Sequence, residues 1–207
     1  MKNCVILANG SFPASAEALE QLRNATALIA CDGAVASLHE RGLVPTAVVG
    51  DMDSIPADLR GLYADRLHGE SEQETNDLSK AVRYACAAGY RSALILGATG
   101  LREDHTLGNI SLLLDYALLL ERVEMWTDYG RFLPVRHSGV FASVPGQQIS
   151  IFSLSPDLKL NTEGLRWPIC HRALTSWWQG TLIEALGSSF RLVLEGEGGL
   201  LLFFNFI

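Results

Sequence analysis

The stretch TAVVGDMDS, residues 46–54, ends an apolar run with two aspartates that stand one residue apart. The run predicts a buried strand over residues 46–51. In a parallel sheet, ligands bind beyond the carboxyl ends of the strands. Asp51 and Asp53 therefore stand where such a sheet would place its site. Either the two aspartates lie on a solvent-exposed turn, or they bind a cation.

Similar apolar runs alternate with helix-like stretches on both sides of residues 46–54. Further strands are predicted at CVILA (4–8), ALIACD (27–32), SALILGATG (92–100, running into a Gly-rich turn) and VEMWTD (123–128). Helices are predicted at SAEALEQLR (15–23), GAVASLHER (33–41), DLSKAVRYACAAG (77–89) and HTLGNISLLLDYALLL (105–120). Because strands that alternate with helices form parallel sheets, the sequence predicts an α/β fold with a mostly parallel sheet flanked by helices.

The pattern changes after about residue 130, where Pro or Gly interrupts the chain every few residues and the helical stripe disappears. Short strands are predicted at QISIFSL (148–154), GTLIEAL (180–186), FRLVLEG (190–196) and LLLFFNFI (200–207). The segment EGEGG (195–199) is typical of a hairpin turn between the last two. We therefore predict two domains, an α/β domain over residues 1–128 and a smaller all-β domain over residues 129–207.

Composition excludes several classes of protein. The chain of 207 residues is 48% hydrophobic with a formal net charge of −7, which indicates a globular protein and argues against nucleic-acid binding. Its four cysteines form no CxxC pair, so a zinc or thioredoxin-type site is not expected. The N-terminal apolar run is five residues long, too short for a signal peptide, and no stretch suits a membrane span. We expect a cytoplasmic protein without a membrane partner.

Two short motifs place acidic groups at predicted strand ends. In CDGA (31–34), Asp32 ends a strand and Gly33 permits a tight turn, although Asp32 would also serve as a helix N-cap. In GDMDS (50–54), Asp51 and Asp53 would share a side of an extended segment. Two neighbouring carboxylates suit Mg²⁺, which leaves coordination positions for phosphate oxygens. A solvated turn is the alternative for this pair.

The motif ETNDLSKAV (74–82) opens a predicted helix. Thr75 or Asn76 can cap the helix, and Asp77 in its first turn suits the helix macrodipole. Lys80 lies one turn after Asp77 on the same side of the helix, so the two can form a surface ion pair of little consequence. The four residues together would otherwise offer a metal ligand, a cation and two neutral hydrogen-bonding groups.

The motif GATGLREDHTLGN (97–109) joins a strand to a helix. Gly97 and Gly100 allow a ligand to approach the backbone, next to the free N–H groups of the helix that follows. Arg102 can form paired hydrogen bonds to phosphate oxygens. Asp104 is an N-cap candidate, and His105 is a donor, an acid or base, or a simple first-turn residue. The motif is neither a Walker A loop nor a dinucleotide-binding GxGxxG.

Taken in this order and at these spacings, CDGA, GDMDS, TNDLSKA and GATGLREDHTLGN resemble motifs of the thiamine pyrophosphokinase (thiamine diphosphokinase) family. SLSPDLKLNTEGLRWPI (153–169) is similar to the family's Gly-Leu-Lys-Trp segment, so the resemblance covers nearly the whole chain. It implies an ATP-binding catalytic α/β domain, then a β-sandwich for thiamine binding and dimerisation, in a homodimer with a shared active site. The implied reaction moves the pyrophosphoryl group of ATP to the hydroxyl of thiamine by direct, Mg²⁺-assisted in-line transfer, giving thiamine diphosphate and AMP.

The resemblance assigns roles residue by residue. The implied catalytic residues are Asp51, Asp53, Asp77, Lys80, Arg102 and Asp104, and the first three are the implied Mg²⁺ ligands. The implied ATP contacts are Asp32, Gly33, Asp51, Thr75, Asn76, Lys80, Gly97, Thr99, Gly100, Arg102 and His105. The implied thiamine contacts are Asp77, Asp104, Ser188, Ser189 and Phe203.

Two departures and two alternatives accompany this interpretation. Leu101 replaces a commonly found glycine, and GSSF (187–190) replaces a Ser-Asn pair near thiamine. Asp104 is preferred over His105 as the base, because a cationic histidine is disfavoured in a first helical turn. A metal-dependent glycosyltransferase acting on a nucleotide-sugar would use the same DxD pair. A non-catalytic nucleotide-binding sensor would bind ATP without producing AMP.

Overall fold

Strands and helices alternate along the first part of the chain in this computed structural model, which describes residues 2–206. Its contacts separate two units, one ending at Asp128 and one beginning at Tyr129. The strands of the first unit are β1 Asn3–Leu7, β2 Leu28–Cys31, β3 Ala47–Gly50, β4 Leu67–Gly69, β5 Ser92–Leu96 and β6 Arg122–Trp126. Its helices are α1 Ala16–Arg23, α2 Ala34–His39, α3 Ala57–Leu62, α4 Asp77–Ala87, α5 Glu103–Ser111 and α6 Leu113–Leu119.

The six strands of the first unit form a parallel sheet in the order β6-β5-β1-β2-β3-β4. The chain adds β2, β3 and β4 on one side of β1, and then β5 and β6 on the other side. The strand order therefore reverses between β1 and β5, which makes this the switch point at which such sheets bind ligands. The predicted parallel α/β fold is confirmed.

Helix α4 shows how sequence pattern becomes packing in this unit. Its buried stripe includes Leu78, Ala81, Val82 and Ala85, spaced so that they share one face of the helix. The stripe packs towards β2 and β3, and each buried Leu or Val contributes about 1.5–3 kcal/mol relative to exposure. The side chain of Asn76 caps the first turn by accepting from Ser79 N at 2.9 Å. Burial and cap together fix where α4 begins, directly beside the ends of the strands.

Two stretches of the first unit differ from the sequence prediction. Helix α3, a 3-10 turn over Ala64–Arg66 and the edge strand β4 lie in a stretch for which we predicted no element. The helix predicted over 105–120 is two helices that meet at Leu112. Helix α5 has no buried residue, whereas α6 buries Leu113, Leu114 and Tyr116. The helical segment is therefore interrupted at Leu112, between a helix without buried residues and a helix with a buried face.

The second unit is a β-sandwich. Its strands are β7 Gly130–Val135, β8 Gly139–Ala142, β9 Gln148–Ser153, β10 Lys159–Glu163, β11 Arg172–Ala173, β12 Ile183–Glu184, β13 Ser189–Glu195 and β14 Leu200–Asn205. Antiparallel pairing gives one layer in the order β12-β9-β14-β7 and another in the order β11-β10-β13-β8. One apolar cluster joins the layers, with Ile151 and Leu202 from the first and Leu160 and Leu192 from the second.

The predicted hairpin turn at EGEGG (195–199) is wrong. Strands β13 and β14 pair in different layers, so this segment carries the chain from one sheet to the other. Gly196 and Gly198 take φ values of 124° and 120° there, which suit glycine. Ile207, the last residue of the predicted strand 200–207, lies outside the described residues.

Between residues 2 and 206, no helix has both the length and the apolar character that crossing a membrane requires.

Candidate active site

A cavity of about 390 Å³ opens in the first unit at the carboxyl ends of its strands. Asn9 and Gly10 enter it after β1, and Ala98 and Thr99 enter it after β5. These two strands flank the switch point of the sheet. The cavity also receives the predicted residues Asp51, Thr75, Asn76, Asp77, Lys80, Arg102 and His105. Sheet topology has thus brought three separate sequence motifs to one place.

Three carboxylates form the centre of this site, and we call them the acidic trio: Asp32, Asp51 and Asp77. Each offers an oxygen that lies within 4.8 Å of the oxygens of the other two. Asp32 follows β2, Asp51 follows β3, and Asp77 is the first residue of α4. Parallel strands that end at the same edge, together with a helix that starts there, therefore place three negative charges side by side.

Burial sets the electrostatics of Asp32. This residue is 1% exposed, and its Oδ2 accepts a hydrogen bond from Ser54 N at 3.4 Å. Its Oδ1 is buried and has no hydrogen-bond partner among residues 2–206. Burial, and secondly the neighbouring Asp51 carboxyl, raise the pKa of Asp32 to about 6. An orphaned buried carboxylate oxygen is costly unless a proton or a cation meets it.

Asp51 experiences the opposite environment. Its Oδ1 accepts from Asp53 N at 3.1 Å and its Oδ2 accepts from the side chain of Gln73 at 3.1 Å. These hydrogen bonds, the one from Asp53 N first, lower the pKa of Asp51. Asp51 is therefore the ionised neighbour of a carboxyl that resists ionisation.

A glycine allows the trio to assemble. A Cβ on Gly50 would lie 2.6 Å from Cβ of Asp32 and 3.1 Å from Oδ1 of Asp77. The last residue of β3 must therefore lack a side chain if Asp32 and Asp77 are to approach each other across it.

Lys80 supplies the internal cation. It is 1% exposed, and its Nζ donates to Oδ1 of Asp77 at 3.2 Å. One buried ammonium against three carboxylates leaves the group with negative charge to spare. The donor set of hard carboxylate oxygens, one of which has no hydrogen-bond partner in the described part of the chain, fits Mg²⁺ well.

Asp53 does not join the trio. The extended conformation that would place Asp51 and Asp53 on one side is interrupted at Met52, whose φ is +71°. The chain turns there, Asp53 points its backbone N–H back at Asp51, and its side chain is exposed. Asp32, which we predicted as an ATP contact, takes the third place in the acidic cluster.

Arg102 and Asp104 form an exposed pair at the start of α5. Nε of Arg102 donates to Oδ1 of Asp104 at 3.1 Å, and Nη2 donates to Oδ2 at 2.5 Å. Oδ1 of Asp104 also accepts from His105 N at 2.8 Å. Arg102 is the first cause of the lowered pKa of Asp104. The side chains of Arg102 and Asp104 remain 69% and 62% exposed, so this guanidinium is accessible to an anionic ligand.

The turn at residues 97–100 is shaped by backbone contacts. Gly97 and Gly100 have φ values of +65° and +95°, and Gly10 N donates to Gly97 O at 2.7 Å. A Cβ on Gly10 would lie 2.5 Å from that same oxygen, so the two turns approach as closely as glycine permits. The predicted residues Gly97 and Thr99 thus lie opposite Gly10, and Gly100 lies opposite Ser11.

Several residues of the cavity were not predicted. Asn9 and Gly10 could have been found, because ANG follows the first predicted strand and the strand-end rule applies to it as well. Gln73 could not, since it lies in an irregular segment. Asn109 could have been considered, because it is the last residue of the GATGLREDHTLGN motif. Asn109 connects two of the motifs: it donates to Ala98 O at 2.8 Å and accepts from the Asn76 side chain at 3.0 Å.

One remaining predicted residue, Gly33, directly follows Asp32 of the acidic trio, and the others lie in the second unit. Gly33 is the N-cap of α2. Ser188 and Ser189 are exposed residues of the second unit, at the start of β13. Phe203, in β14, packs its ring on Phe132 with centroids 4.5 Å apart.

A parallel α/β unit with a carboxylate-lined pocket at its switch point, followed by a β-sandwich, defines a class of two-domain α/β proteins whose pocket suits a cation and an anionic ligand. The family model for the thiamin pyrophosphokinase catalytic domain matches residues 19–126, and that for the substrate-binding domain matches residues 130–203. The chain belongs to the thiamin pyrophosphokinase family. The resemblance identified from four motifs is thereby confirmed.

Individual relatives agree with this assignment. Thiamine pyrophosphokinase 1 of Oryza sativa subsp. japonica is 29% identical over 147 residues, which are 63% of this chain and 55% of that protein. Thiamine pyrophosphokinase of Bacillus subtilis (strain 168) is 29% identical over 161 residues, 73% of this chain and 75% of that protein. The crystal structure of a Bacillus subtilis thiamine pyrophosphokinase has a TM-score of 0.81 at 22% identity over 99% of both chains, which shows the shared fold. The chain spans little more than half the length of the rice relative.

Proposed function

We propose that this chain is a thiamine diphosphokinase that transfers the pyrophosphoryl group of ATP to the hydroxyl of thiamine, giving thiamine diphosphate and AMP. The observation that carries the proposal is the acidic trio with buried Lys80, in the switch-point pocket of a chain of this family. Phosphoryl transfer needs positioning and charge neutralisation more than covalent help from protein groups. This pocket offers both.

Mg²⁺ is the cation that we propose for the trio, with Asp51 and Asp77 as ligands and Asp32 beside them. When bound, the ion would neutralise phosphate oxygens and the charge that develops on them. Oδ1 of Asp32, which has no hydrogen-bond partner within residues 2–206, supports its inclusion, although the sequence resemblance implies Asp53 as a ligand instead. Asp53 contributes through its backbone N–H, which holds Asp51 in orientation.

Lys80 and Arg102 are the proposed protein cations for phosphate. Lys80 is fixed by burial and by Asp77, so its charge is preorganised and costs no rearrangement during the reaction. Arg102 is exposed at the mouth of the pocket. The N–H groups around the 97–100 turn can donate hydrogen bonds to phosphate oxygens where glycine allows close approach.

The Arg102–Asp104 pair couples binding to proton transfer in this proposal. While Arg102 is hydrogen-bonded to Asp104, the pKa of the Asp104 carboxyl is lowered, and Asp104 is a weak base. Arg102 cannot give the same two donors to Asp104 and to a phosphate at once. Recruitment of Arg102 by phosphate therefore frees Asp104 to accept the alcohol proton.

We further propose that two copies of the chain assemble and share the active site. Ser188, Ser189 and Phe203 are the proposed thiamine contacts in the second unit. Trp167, Trp178 and Leu182 expose large apolar side chains in this unit, and burying them in an assembly would be favourable.

The test is AMP formation from ATP and Mg²⁺ with and without thiamine, with mass analysis of the organic product. We expect thiamine-dependent AMP together with thiamine diphosphate. Asp51→Ala and Asp77→Ala should each lower kcat/KM by about 100-fold or more, since each removes a group that organises the phosphates, while circular dichroism stays native. Near-normal activity in both variants would overturn the assignment, and ATP binding without AMP would favour a sensor.

A further inference from the structure

The segment between β4 and α4, residues 70–76, reaches the acidic trio through one side chain. We call this segment the strap. Gln73, at its middle, donates from Nε2 to Oδ2 of Asp51 at 3.1 Å. Gln73 and Thr75 both line the cavity, yet the strap contains no helix or strand residue before α4. Something other than regular secondary structure must hold Gln73 in place.

Arg83 of α4 ties the strap down. Its Nη2 donates to Oε2 of Glu70 and to Oε1 of Glu72, both at 2.7 Å. Its Nη1 donates to Oγ1 of Thr75 at 3.0 Å. Oε2 of Glu72 in turn accepts from the backbone N–H groups of Glu74 and Thr75, at 2.9 and 3.0 Å. One guanidinium therefore reaches both ends of the strap, and one carboxylate organises the backbone between them.

This arrangement exceeds an ordinary surface ion pair. A single exposed pair contributes little, because two long side chains must be ordered for one contact in water. Here the guanidinium uses two nitrogens on three partners, and its helix is fixed by the buried stripe of Leu78, Ala81, Val82 and Ala85. Charge-assisted, geometrically paired contacts of this kind hold a chain segment in one conformation.

We propose that Arg83 is a positioning residue, which holds the strap so that Gln73 keeps Asp51 oriented for cation and phosphate binding. This inference rests on the proposed function of the site. Arg83 itself lies outside the residues that line the cavity and acts through Glu72, Thr75 and Gln73. A released strap lowers the fraction of molecules whose site is competent. Apparent affinity falls with that fraction, whereas turnover at saturation is retained.

The first test compares Arg83→Gln with Arg91→Gln. Arg91 makes a comparable two-nitrogen pair with Glu121 and likewise lies outside the residues that line the cavity, so it controls for the loss of a surface pair. We expect Arg83→Gln to raise the Mg²⁺ concentration for half-maximal AMP formation about fivefold, with kcat changed by about twofold or less. Arg91→Gln should change neither quantity. A fall in kcat with an unchanged Mg²⁺ requirement in Arg83→Gln would overturn the inference.

A double variant tests the route of action. In a Gln73→Ala background, Arg83→Gln should raise the Mg²⁺ requirement no further, because the side chain through which Arg83 acts is already missing. Additive effects would show that Arg83 does not act through Gln73.

Hydrogen exchange supplies a readout that does not depend on turnover. The amides of Glu74 and Thr75 should exchange at least about tenfold faster in Arg83→Gln, because Glu72 loses its anchor and releases them. Amides of Ala81 and Val82 should keep their protection, which confirms that α4 is intact. Strap amides that exchange at the wild-type rate would refute the role of Arg83. A wild-type protein that makes no AMP would refute the proposed function instead. The exchange rates of the strap amides would still test whether Arg83 holds the strap.

Discussion

At the scale of single residues, the absence of a side chain at Gly50 shapes the site as much as any charge does. A Cβ there would lie 2.6 Å from Cβ of Asp32. We expect Gly50→Ala to push Asp32 away from Asp77, to lower stability by about 1–3 kcal/mol through overpacking, and to reduce AMP formation. Urea unfolding and the activity assay measure the two effects.

Gly61 in α3 is the matched control for this substitution. No described atom lies within 4 Å of a Cβ built on it, so Gly61→Ala should stabilise the helix by about 0.5–1 kcal/mol and leave activity unchanged. Equal stability changes for the two alanine variants would contradict the packing argument at Gly50.

The pair Asp51 and Asp53 shows what residue spacing can and cannot predict. Two aspartates one residue apart point the same way only if the segment between them is extended. The positive φ of Met52 removes that condition, and a local motif carries no signal for it. Asp32 was predicted as part of the site, because it ends a strand, but its place beside Asp51 depends on which strands are neighbours. That information belongs to the sheet and not to the motif.

At the scale of elements, the strap gives a pH dependence with a defined sign. Thr75 first, and then Arg83, lower the pKa of Glu72 from 4.5 to about 2. A depressed carboxyl pKa stabilises the native state fully above the unfolded value. The contribution is lost as pH falls from about 4.5 towards 2. We expect the stability difference between wild type and Glu72→Gln to be constant from pH 7 to 5 and to shrink below pH 4.5.

Denaturant unfolding at several pH values between 7 and 3 measures this difference. Glu197→Gln, in the exposed segment between β13 and β14, is the control for removing a carboxylate elsewhere. A wild-type to Glu72→Gln difference that stays constant down to pH 3 would contradict the anchoring of Glu72 by Thr75 and Arg83.

The elements that the sequence predicted well are those whose burial is uniform along their length. Strands such as β2, with every residue buried, appear as continuous apolar runs, and α4 appears as a clear stripe. The break at Leu112 was missed because the apolar run of α6 continues the helical pattern without a Gly or Pro. Strand β4 was missed because its three residues are partly or fully exposed at the sheet edge. Whether an exposed element forms depends on the elements beside it, and a local sequence pattern does not identify those elements.

At the scale of the whole molecule, the pairing of strands in the sandwich could not be predicted from local sequence patterns. The strands β9, β13 and β14 were predicted because they alternate or run apolar. Their assignment to layers was not, because a Gly-rich connection fits a hairpin and a crossing between sheets equally well. Long-range pairing decides between the two, and it involves strands such as β10 that lie more than 25 residues away along the chain.

Assembly is the remaining property of the whole molecule, and the exposed apolar residues of the second unit predict it. Trp178 is 74% exposed and Leu182 is 55% exposed, close together in sequence between β11 and β12. Exposing these apolar side chains to water is unfavourable by about 25 cal/mol per Å² of apolar surface. We expect sedimentation equilibrium to give twice the 22.5 kDa mass of the chain.

The variant Trp178→Asp should shift this equilibrium towards the single chain, because a charge buried at a contact is strongly disfavoured. Leu118→Asp, at a residue of α6 that is 63% exposed, is the control and should leave the mass unchanged. If the site is shared, specific activity of Trp178→Asp should also fall on dilution, in the range where the mass falls. A wild-type protein that sediments as one chain at micromolar concentration and retains full activity would contradict both the assembly and the shared site.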